Sequence, residues 1–104
     1  SECLELLKEY QHFWIRDSLA KNGFRELFAR EFLKNCDFTG LKWSELEKYF
    51  GKPRILSKYE DNSSLYEYRV NNYSDKLDEP GNLYIWIEVK NNIITRFKLL
   101  EIDG

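Results

Sequence analysis

The amino-acid sequence predicts an α+β domain in which N-terminal helices pack on one face of a four-stranded antiparallel meander sheet. In residues 3–51 the apolar side chains recur at helical spacing, and in residues 54–102 they alternate with polar ones as in strands. Because the helices precede the strands and do not alternate with them, the order favours α+β over a parallel α/β sheet. The 104 residues suffice for a single domain, 1–104, with one core.

Two amphipathic helices are predicted first, over residues 3–20 and 24–35. Asn22 and Gly23 separate them, because Gly23 can adopt a left-handed backbone conformation at little steric cost. The predicted core-facing residues are Leu4, Leu7, Phe13, Trp14, Phe24, Leu27, Phe28, Phe32 and Leu33. The predicted solvent-facing residues of the second helix are Arg25, Glu26, Arg30, Glu31 and Lys34. Helices joined by so short a turn are expected to run antiparallel.

This hairpin would bring the two cysteines together. Cys3 opens the first helix and Cys36 follows the second, so both lie at the same end of the pair. A disulfide there would close a loop of about 34 residues and stabilise the fold by roughly 3 to 4 kcal/mol, mainly by restricting the unfolded chain. Two buried free thiols are the alternative. A bridge would indicate export, and free thiols would indicate the cytoplasm.

A third helix of about two turns is predicted within the segment TGLKWSELEKYFGKPRIL, residues 39–56. Ser44 and Glu47 have the S-x-x-E spacing of a capping box. Gly51 and Pro53 end the helix, since proline cannot continue it. The apolar face of this helix consists of Leu46, Tyr49 and Phe50.

Four strands are predicted after Pro53. Their sequences are RILSKY, SLYEYRVN, NLYIWIEVK and NIITRFKLLEI. The segments between them are EDNS, the polar loop NNYSDKLDEPGN and the Asn91-Asn92 pair, which are rich in turn residues. The simplest connection of consecutive strands through such loops is an antiparallel meander.

Alternation along these strands separates a core face from an open face. The core residues predicted in the second and third strands are Tyr66, Tyr68, Val70, Leu83, Ile85, Ile87 and Val89. The last strand directs Thr95, Phe97 and Leu99 to one side and Ile94, Arg96, Lys98 and Leu100 to the other. If the helices cover only one face, the open face carries the predicted partner-binding residues Glu67, Arg69, Tyr84, Trp86, Glu88, Arg96 and Lys98.

The composition of this open face is typical of protein-binding hot spots, in which aromatic side chains and arginine are enriched. The alternative is structural. The first helix or the 71–82 loop would then cover Tyr84 and Trp86, and cation–π pairs with Arg96 would only stabilise the sheet.

Composition and motifs argue against several classes of function. The formal net charge is −2, and basic residues are interspersed with acidic ones, so nucleic acid is not an expected partner. No apolar run approaches the ~20 residues of a membrane span. The glycines stand singly at turns and form no phosphate-binding loop, so no cofactor is expected.

Catalytic and metal-binding residues are also not evident. The only histidine, His12, is nine positions from Cys3 and so points to the opposite side of the helix. The acidic loop residues Asp75, Asp78 and Glu79 lack the alternating spacing of a calcium loop. The neighbouring carboxylates of Glu45, Glu47, Glu60 and Asp61 are interpreted as surface charge. We therefore expect no catalytic residue, no metal site and no enzymatic activity.

The segment GLKWSELEKYFGKP resembles the signature of the SmpA/OmlA (BamE-like) domain, in which a short helix leads into an antiparallel sheet. The matching positions are Gly40, Leu41, Glu45, Leu46, Phe50, Gly51 and Pro53. LYEYRV and LYIWIEVKNNIITRFKL are similar to that family's second strand and final hairpin. WIRDSLAKNGFRELFAREFL is similar to a segment of small secreted or lipid-anchored Bacteroidetes proteins. Two positions depart from the pattern: Lys42 replaces the usual Thr or Ser cap, and Phe50 replaces leucine.

The resemblance, which extends in architecture to beta-lactamase-inhibitor-like proteins, implies a function in protein binding. We expect a non-enzymatic domain of the periplasm or cell envelope, or a secreted one, that binds or scaffolds another protein. The alternative is a cytoplasmic immunity-type or regulatory protein that neutralises a protein partner.

The chain contains no methionine, so we expect that upstream residues were removed, either as a secretion signal or by trimming. A lipid anchor upstream is compatible with the resemblance. Glu2 is a poor residue before a lipidated cysteine, which argues against lipid attached to Cys3.

Overall fold

The computed structural model describes residues 2–72 and 82–102, and it confirms the α+β class. Three α-helices and a 3-10 turn precede four strands that form one antiparallel meander in the order β1-β2-β3-β4. The elements are α1 Glu2–Arg16, α2 Phe24–Glu31, the 3-10 turn Leu33–Asn35, α3 Trp43–Phe50, β1 Arg54–Lys58, β2 Ser63–Arg69, β3 Asn82–Lys90 and β4 Ile93–Ile102. None of the helices among these residues has the length and apolarity that a membrane crossing requires.

Aromatic rings join the helices to one face of the sheet. The ring centroid of Trp14 in α1 lies 5.2 Å from that of Phe50 in α3 and 6.4 Å from that of Tyr68 in β2. Trp43 of α3 stacks on Tyr66 of β2 with centroids 4.8 Å apart. Because all three helix residues are buried against β2, the helical layer and this sheet face enclose the core.

The first helix ends at Arg16, four residues before the predicted end at Ala20. The reason is the buried carboxylate of Asp17, which binds the main chain of the following turn. Its Oδ1 accepts hydrogen bonds from the N–H groups of Lys21 (3.0 Å) and Asn22 (3.1 Å). Its Oδ2 accepts one from the N–H of Arg25 in the first turn of α2, at 3.1 Å. One side chain thus ends α1 and orients α2.

The predicted faces of the first two helices are partly wrong. Phe13, Leu27 and Phe32 were expected in the core but are exposed, with 61% of Leu27 accessible to solvent. Arg25 was expected in solvent but is only 5% exposed, and Ala29, one turn later, is fully buried. The backbone of Phe32 leaves the helical conformation, which ends α2 before the predicted boundary.

Cys3 and Cys36 are joined by a disulfide, with their Cα atoms 5.8 Å apart. The bridge connects the start of α1 to the residue after the 3-10 turn. At the other end of the pair, Trp14 of α1 contacts Phe28 of α2, with ring centroids 6.3 Å apart. These two contacts show that α1 and α2 run antiparallel.

The capping box predicted Ser44 as the cap of α3, but this prediction is wrong. Lys42 occupies the N-cap position and makes no side-chain capping bond. Instead, Asn92 in the β3–β4 turn accepts hydrogen bonds from the N–H groups of Trp43 (2.8 Å, to its main-chain O) and Ser44 (3.0 Å, to Oδ1). Gly51 ends the helix as predicted, with φ of 82°.

A β-bulge changes the assignment of side chains at the start of β4. Val89 pairs with Ile94 and Glu88 pairs with Arg96, so Thr95 is an extra residue between the two pairs. Ile94, which alternation had placed on the same side as Arg96, is therefore fully buried. Thr95, which alternation had placed on the same side as Phe97 and Leu99, is exposed, and its hydroxyl donates to Glu88 Oε1 at 2.8 Å.

Candidate functional site

The sheet face turned away from the helices, which we call the open face, holds all seven predicted partner-binding residues. Residues directly opposite each other in an antiparallel pair point to the same face. The opposed pairs on the open face are Glu67 with Trp86, Arg69 with Tyr84, Glu88 with Arg96, and Trp86 with Lys98. Between them, Ile85 and Ile87 point into the core and are fully buried. The alternation seen in the sequence therefore located this face correctly.

The open face carries further residues that the predicted partner-binding set did not include, although alternation had placed Leu100 on the side of Arg96 and Lys98. Arg54 lies opposite Glu67, Leu65 opposite Glu88, and Leu100 opposite Tyr84. Arg54 could not be assigned from alternation because the register of β1 shifts between Ile55 and Ser57. Arg54 is located by its pairing with Glu67 of β2, which is known only from the structure.

One row of side chains, Arg54, Glu67, Trp86 and Lys98, crosses all four strands. The indole Nε1 of Trp86 donates to Glu67 Oε2 at 2.8 Å. Arg54 Nη1 lies 3.8 Å from Glu67 Oε1. Glu67 is buried beneath these neighbours, whereas Trp86 remains partly exposed. The carboxylate therefore fixes the orientation of an indole ring that solvent can still reach.

A second polar contact orders Tyr84 beside this row. Arg69 Nη2 donates to the hydroxyl of Tyr84 at 3.1 Å, and the guanidinium carbon lies 5.5 Å from the ring centroid. The sequence suggested a cation–π pair with Arg96, but the arginine that contacts an aromatic ring of the open face, among the described residues, is Arg69. On the core side, Arg25 donates to the main-chain oxygen of Arg69 at 3.1 Å.

The edge of the open face formed by β4 is cationic. Arg96 and Lys98 are exposed, and neither forms an ion pair with residues 2–72 or 82–102. The carboxylate of Glu88 accepts a hydrogen bond from the Thr95 hydroxyl, and the carboxylate of Glu67 accepts one from the Trp86 indole. On the described strands, the open face carries two carboxylates and five cationic side chains, a net charge of +3 on a chain whose formal charge is −2; the cations are Arg54, Arg69, Lys90, Arg96 and Lys98.

In the alternative interpretation of the sequence, Trp86 is covered either by the first helix or by the 71–82 loop. The first helix does not cover it, because α1 lies on the other face of the sheet. Most of the 71–82 loop lies outside the described residues, as do Asp75, Asp78 and Glu79.

His12, Glu45 and Asp61, which the sequence offered as candidates for chemistry, all reach solvent. His12 is exposed on α1. Lys48 lies 3.2 Å from Glu45 Oε2 and lowers the pKa of that carboxyl, while the hydroxyl and main-chain N–H of Ser63 lower the pKa of Asp61. Over residues 2–72 and 82–102, no three His, Cys, Asp or Glu side chains are arranged to hold a metal ion.

The fold defines the class of this protein as an α+β domain with helices on one side of an antiparallel meander. Comparison of the chain with protein-family models, with curated proteins and with solved structures finds no match. The resemblance to SmpA/OmlA (BamE-like) and beta-lactamase-inhibitor-like proteins therefore stays a prediction from the residues quoted above.

Proposed function

We propose that this protein is a non-enzymatic protein-binding domain of the cell envelope, or a secreted one, that holds another protein on the open face. The observation that carries the proposal is the pair of partly exposed rings, Trp86 and Tyr84, each oriented by a hydrogen bond to a cross-strand neighbour. Aromatic side chains held in place before binding lose little conformational entropy when a partner docks, which makes them effective anchors.

The disulfide supports the compartment in this proposal. A bridge between Cys3 and Cys36 persists in an oxidising environment such as the periplasm or the extracellular space, whereas cytoplasmic thiols are kept reduced. The resemblance to an envelope domain favours the same location. A cytoplasmic immunity-type protein would use the same open face but would contain free thiols. Alkylation of thiols during isolation of the native protein separates the two, because bridged cysteines take up no reagent.

The binding role is tested by cross-linking in an envelope extract with the wild type, Trp86→Ala and Tyr59→Ala. Tyr59 is the matched control, since it is an exposed aromatic residue outside the sheet, in the turn after β1. Loss of a central aromatic anchor costs about 2 kcal/mol, or roughly thirtyfold in Kd. We expect Trp86→Ala to lose a cross-linked protein that the wild type and Tyr59→Ala retain.

Circular dichroism and thermal unfolding of each variant establish that it is folded before the comparison is made. Equal recovery of every cross-linked protein by all three chains would remove the open face as a binding site.

A further inference from the structure

The outer edge of β4 is only partly paired. The segment before α3 pairs with its first residues: the N–H of Gly40 donates to the Ile94 oxygen at 2.8 Å, and the N–H of Ile94 donates to the Leu41 oxygen at 2.9 Å. Lys42 extends this contact by an antiparallel bridge to Ile93. From 95 to 102, the main chain on this side of β4 receives no hydrogen bond from the described part of the chain.

On the open-face side, the side chains along this free edge are two cations followed by two apolar residues. Arg96 and Lys98 stand two positions apart and point to the same face, followed by Leu100 and Ile102. A strand added to an edge places its side chains directly opposite those of the edge strand, about 4.5–5.5 Å apart at Cβ. Carboxylates two positions apart in an added strand would therefore face the two cations.

From this edge we infer the chemistry of the partner: it contributes an acidic extended segment that adds to β4 beyond Ile94, with its carboxylates opposite Arg96 and Lys98. The inference rests on the proposed function and specifies what the open face recognises. The short pairing of residues 40–42 with Ile93 and Ile94 shows that this edge accepts an antiparallel segment. The added strand would continue that pairing along the rest of β4.

Two other occupants fit this edge less well. A second copy pairing through β4 would set Arg96 and Lys98 against cations or against Leu100 and Ile102, because the open-face side of β4 carries no carboxylate. Charged edge residues of this kind disfavour self-pairing. A phosphate-bearing surface could neutralise the cations but could not pair with both the N–H and the C=O groups of the edge, as a polypeptide does.

The inference is tested with three synthetic peptides: one of alternating Glu and Val, one of alternating Gln and Val, and one of alternating Glu and Pro. The Gln peptide keeps the strand geometry without charge, and the Pro peptide keeps the charge with half of the main-chain donors removed. We expect the Glu-Val peptide to bind about tenfold more tightly than the Gln-Val peptide, as two exposed ion pairs allow, and the Glu-Pro peptide not to bind. Fluorescence anisotropy measures the affinities.

Matched variants then locate the binding. The charge-reversed variant Arg96→Glu/Lys98→Glu should not bind the Glu-Val peptide. The neutral variant Arg96→Gln/Lys98→Gln should bind the Glu-Val peptide only as tightly as the wild type binds the Gln-Val peptide. Arg16→Glu/Lys21→Glu, which reverses two exposed cations outside the sheet, should bind as the wild type does. Amide hydrogen exchange should slow in residues 95–102 on addition of the peptide, and not in β1.

Equal affinity for the Glu and Gln peptides, full binding by Arg96→Glu/Lys98→Glu, or preference for vesicles of anionic phospholipid over the peptide would each overturn the inference. Cross-linking separates this failure from that of the proposed function. If the cross-linked protein is lost with Trp86→Ala but kept by Arg96→Glu/Lys98→Glu, the binding face stands and the acidic strand does not.

Discussion

The guanidinium of Arg25 lies among α1, α2 and β2, although arginine is seldom buried. Its Nε donates to the Trp14 oxygen at 2.8 Å, and its Nη1 donates to the Arg69 oxygen at 3.1 Å. The guanidinium carbon also lies 4.4 Å from the centroid of the Trp14 ring. Burial lowers the pKa of Arg25 to about 10, while the Asp17 carboxylate acts in the opposite direction. Arg25 therefore stays charged at neutral pH and joins the helical layer to the end of β2.

Tyr68 is a second buried polar residue, and its ionisation links stability to alkaline pH. Its ring packs 5.2 Å from that of Phe50, and its hydroxyl donates to the main-chain oxygen of Gly51. Burial raises the pKa of Tyr68 above the ordinary tyrosine value of about 10. The folded protein thus keeps a proton that the unfolded chain loses above that pH. The contribution of this group to stability is complete below pH 10 and declines as the pH rises further.

We expect Tyr68→Phe to lower the free energy of unfolding by about 1 kcal/mol at neutral pH, because the Gly51 oxygen loses its donor. Above about pH 10 the difference between the two proteins should shrink, since phenylalanine does not titrate. Urea unfolding of both proteins at a series of pH values measures this difference and cancels the titration of groups that do not interact with Tyr68. A difference that stays constant through that range would contradict the assignment.

Among the elements, the β3–β4 turn has a second role as the cap of α3. Asn91 and Asn92 both have positive φ, 51° and 62°, as a two-residue hairpin turn requires. Only Asn92 also contacts the helix: its side chain accepts from the Ser44 N–H and its Nδ2 donates to the Ser44 hydroxyl at 3.1 Å. The end of the hairpin thereby fixes where α3 begins.

The Asn91→Gly and Asn92→Gly variants separate these two roles, because glycine tolerates positive φ but has no side chain to cap the helix. We expect Asn92→Gly to lower the free energy of unfolding by about 1 kcal/mol, as loss of a capping side chain does. Asn91→Gly should change it little. Chemical denaturation of the two variants gives the comparison, and equal effects would show that the turn alone matters.

The elements could be predicted from the sequence because their signals are local. The helix end at Gly51 depends on residues within a few positions of it. The strands were recognised from the alternation of apolar and polar residues, which continues without interruption through β2 and β3. The same regularity located Trp86 and Tyr84 on the open face. The proximity of Cys3 and Cys36 could be predicted because it follows from the helix hairpin. Side-chain contacts that follow from no such regular pairing could not be predicted: Asn92 caps a helix that begins almost fifty positions earlier, and Arg25 is buried because it reaches Arg69.

At the scale of the whole molecule, the structure separates stabilising contacts from the proposed binding face. A continuous set of aromatic contacts runs from Phe28 in α2 through Trp14 and Phe50 to Phe97 in β4. The Cys3–Cys36 bridge lies in the same helical layer, on the side of the sheet opposite Trp86. Changes to the helical layer should therefore alter stability while the open face keeps its arrangement.

Replacing both cysteines, as Cys3→Ala/Cys36→Ala, tests this separation. The bridge spans a sequence separation of 33 residues. Its removal should lower the free energy of unfolding by roughly 3 to 4 kcal/mol, because the unfolded chain regains the entropy of the opened loop. Denaturant unfolding with and without a reducing agent measures the effect: the reagent should destabilise the wild type by a similar amount and leave the double variant unchanged. Where the variant is still folded, it should bind the open-face partner as the wild type does, since Trp86 and Glu67 keep their contact. Weakened binding by a folded double variant would show that the helical layer and the open face are coupled.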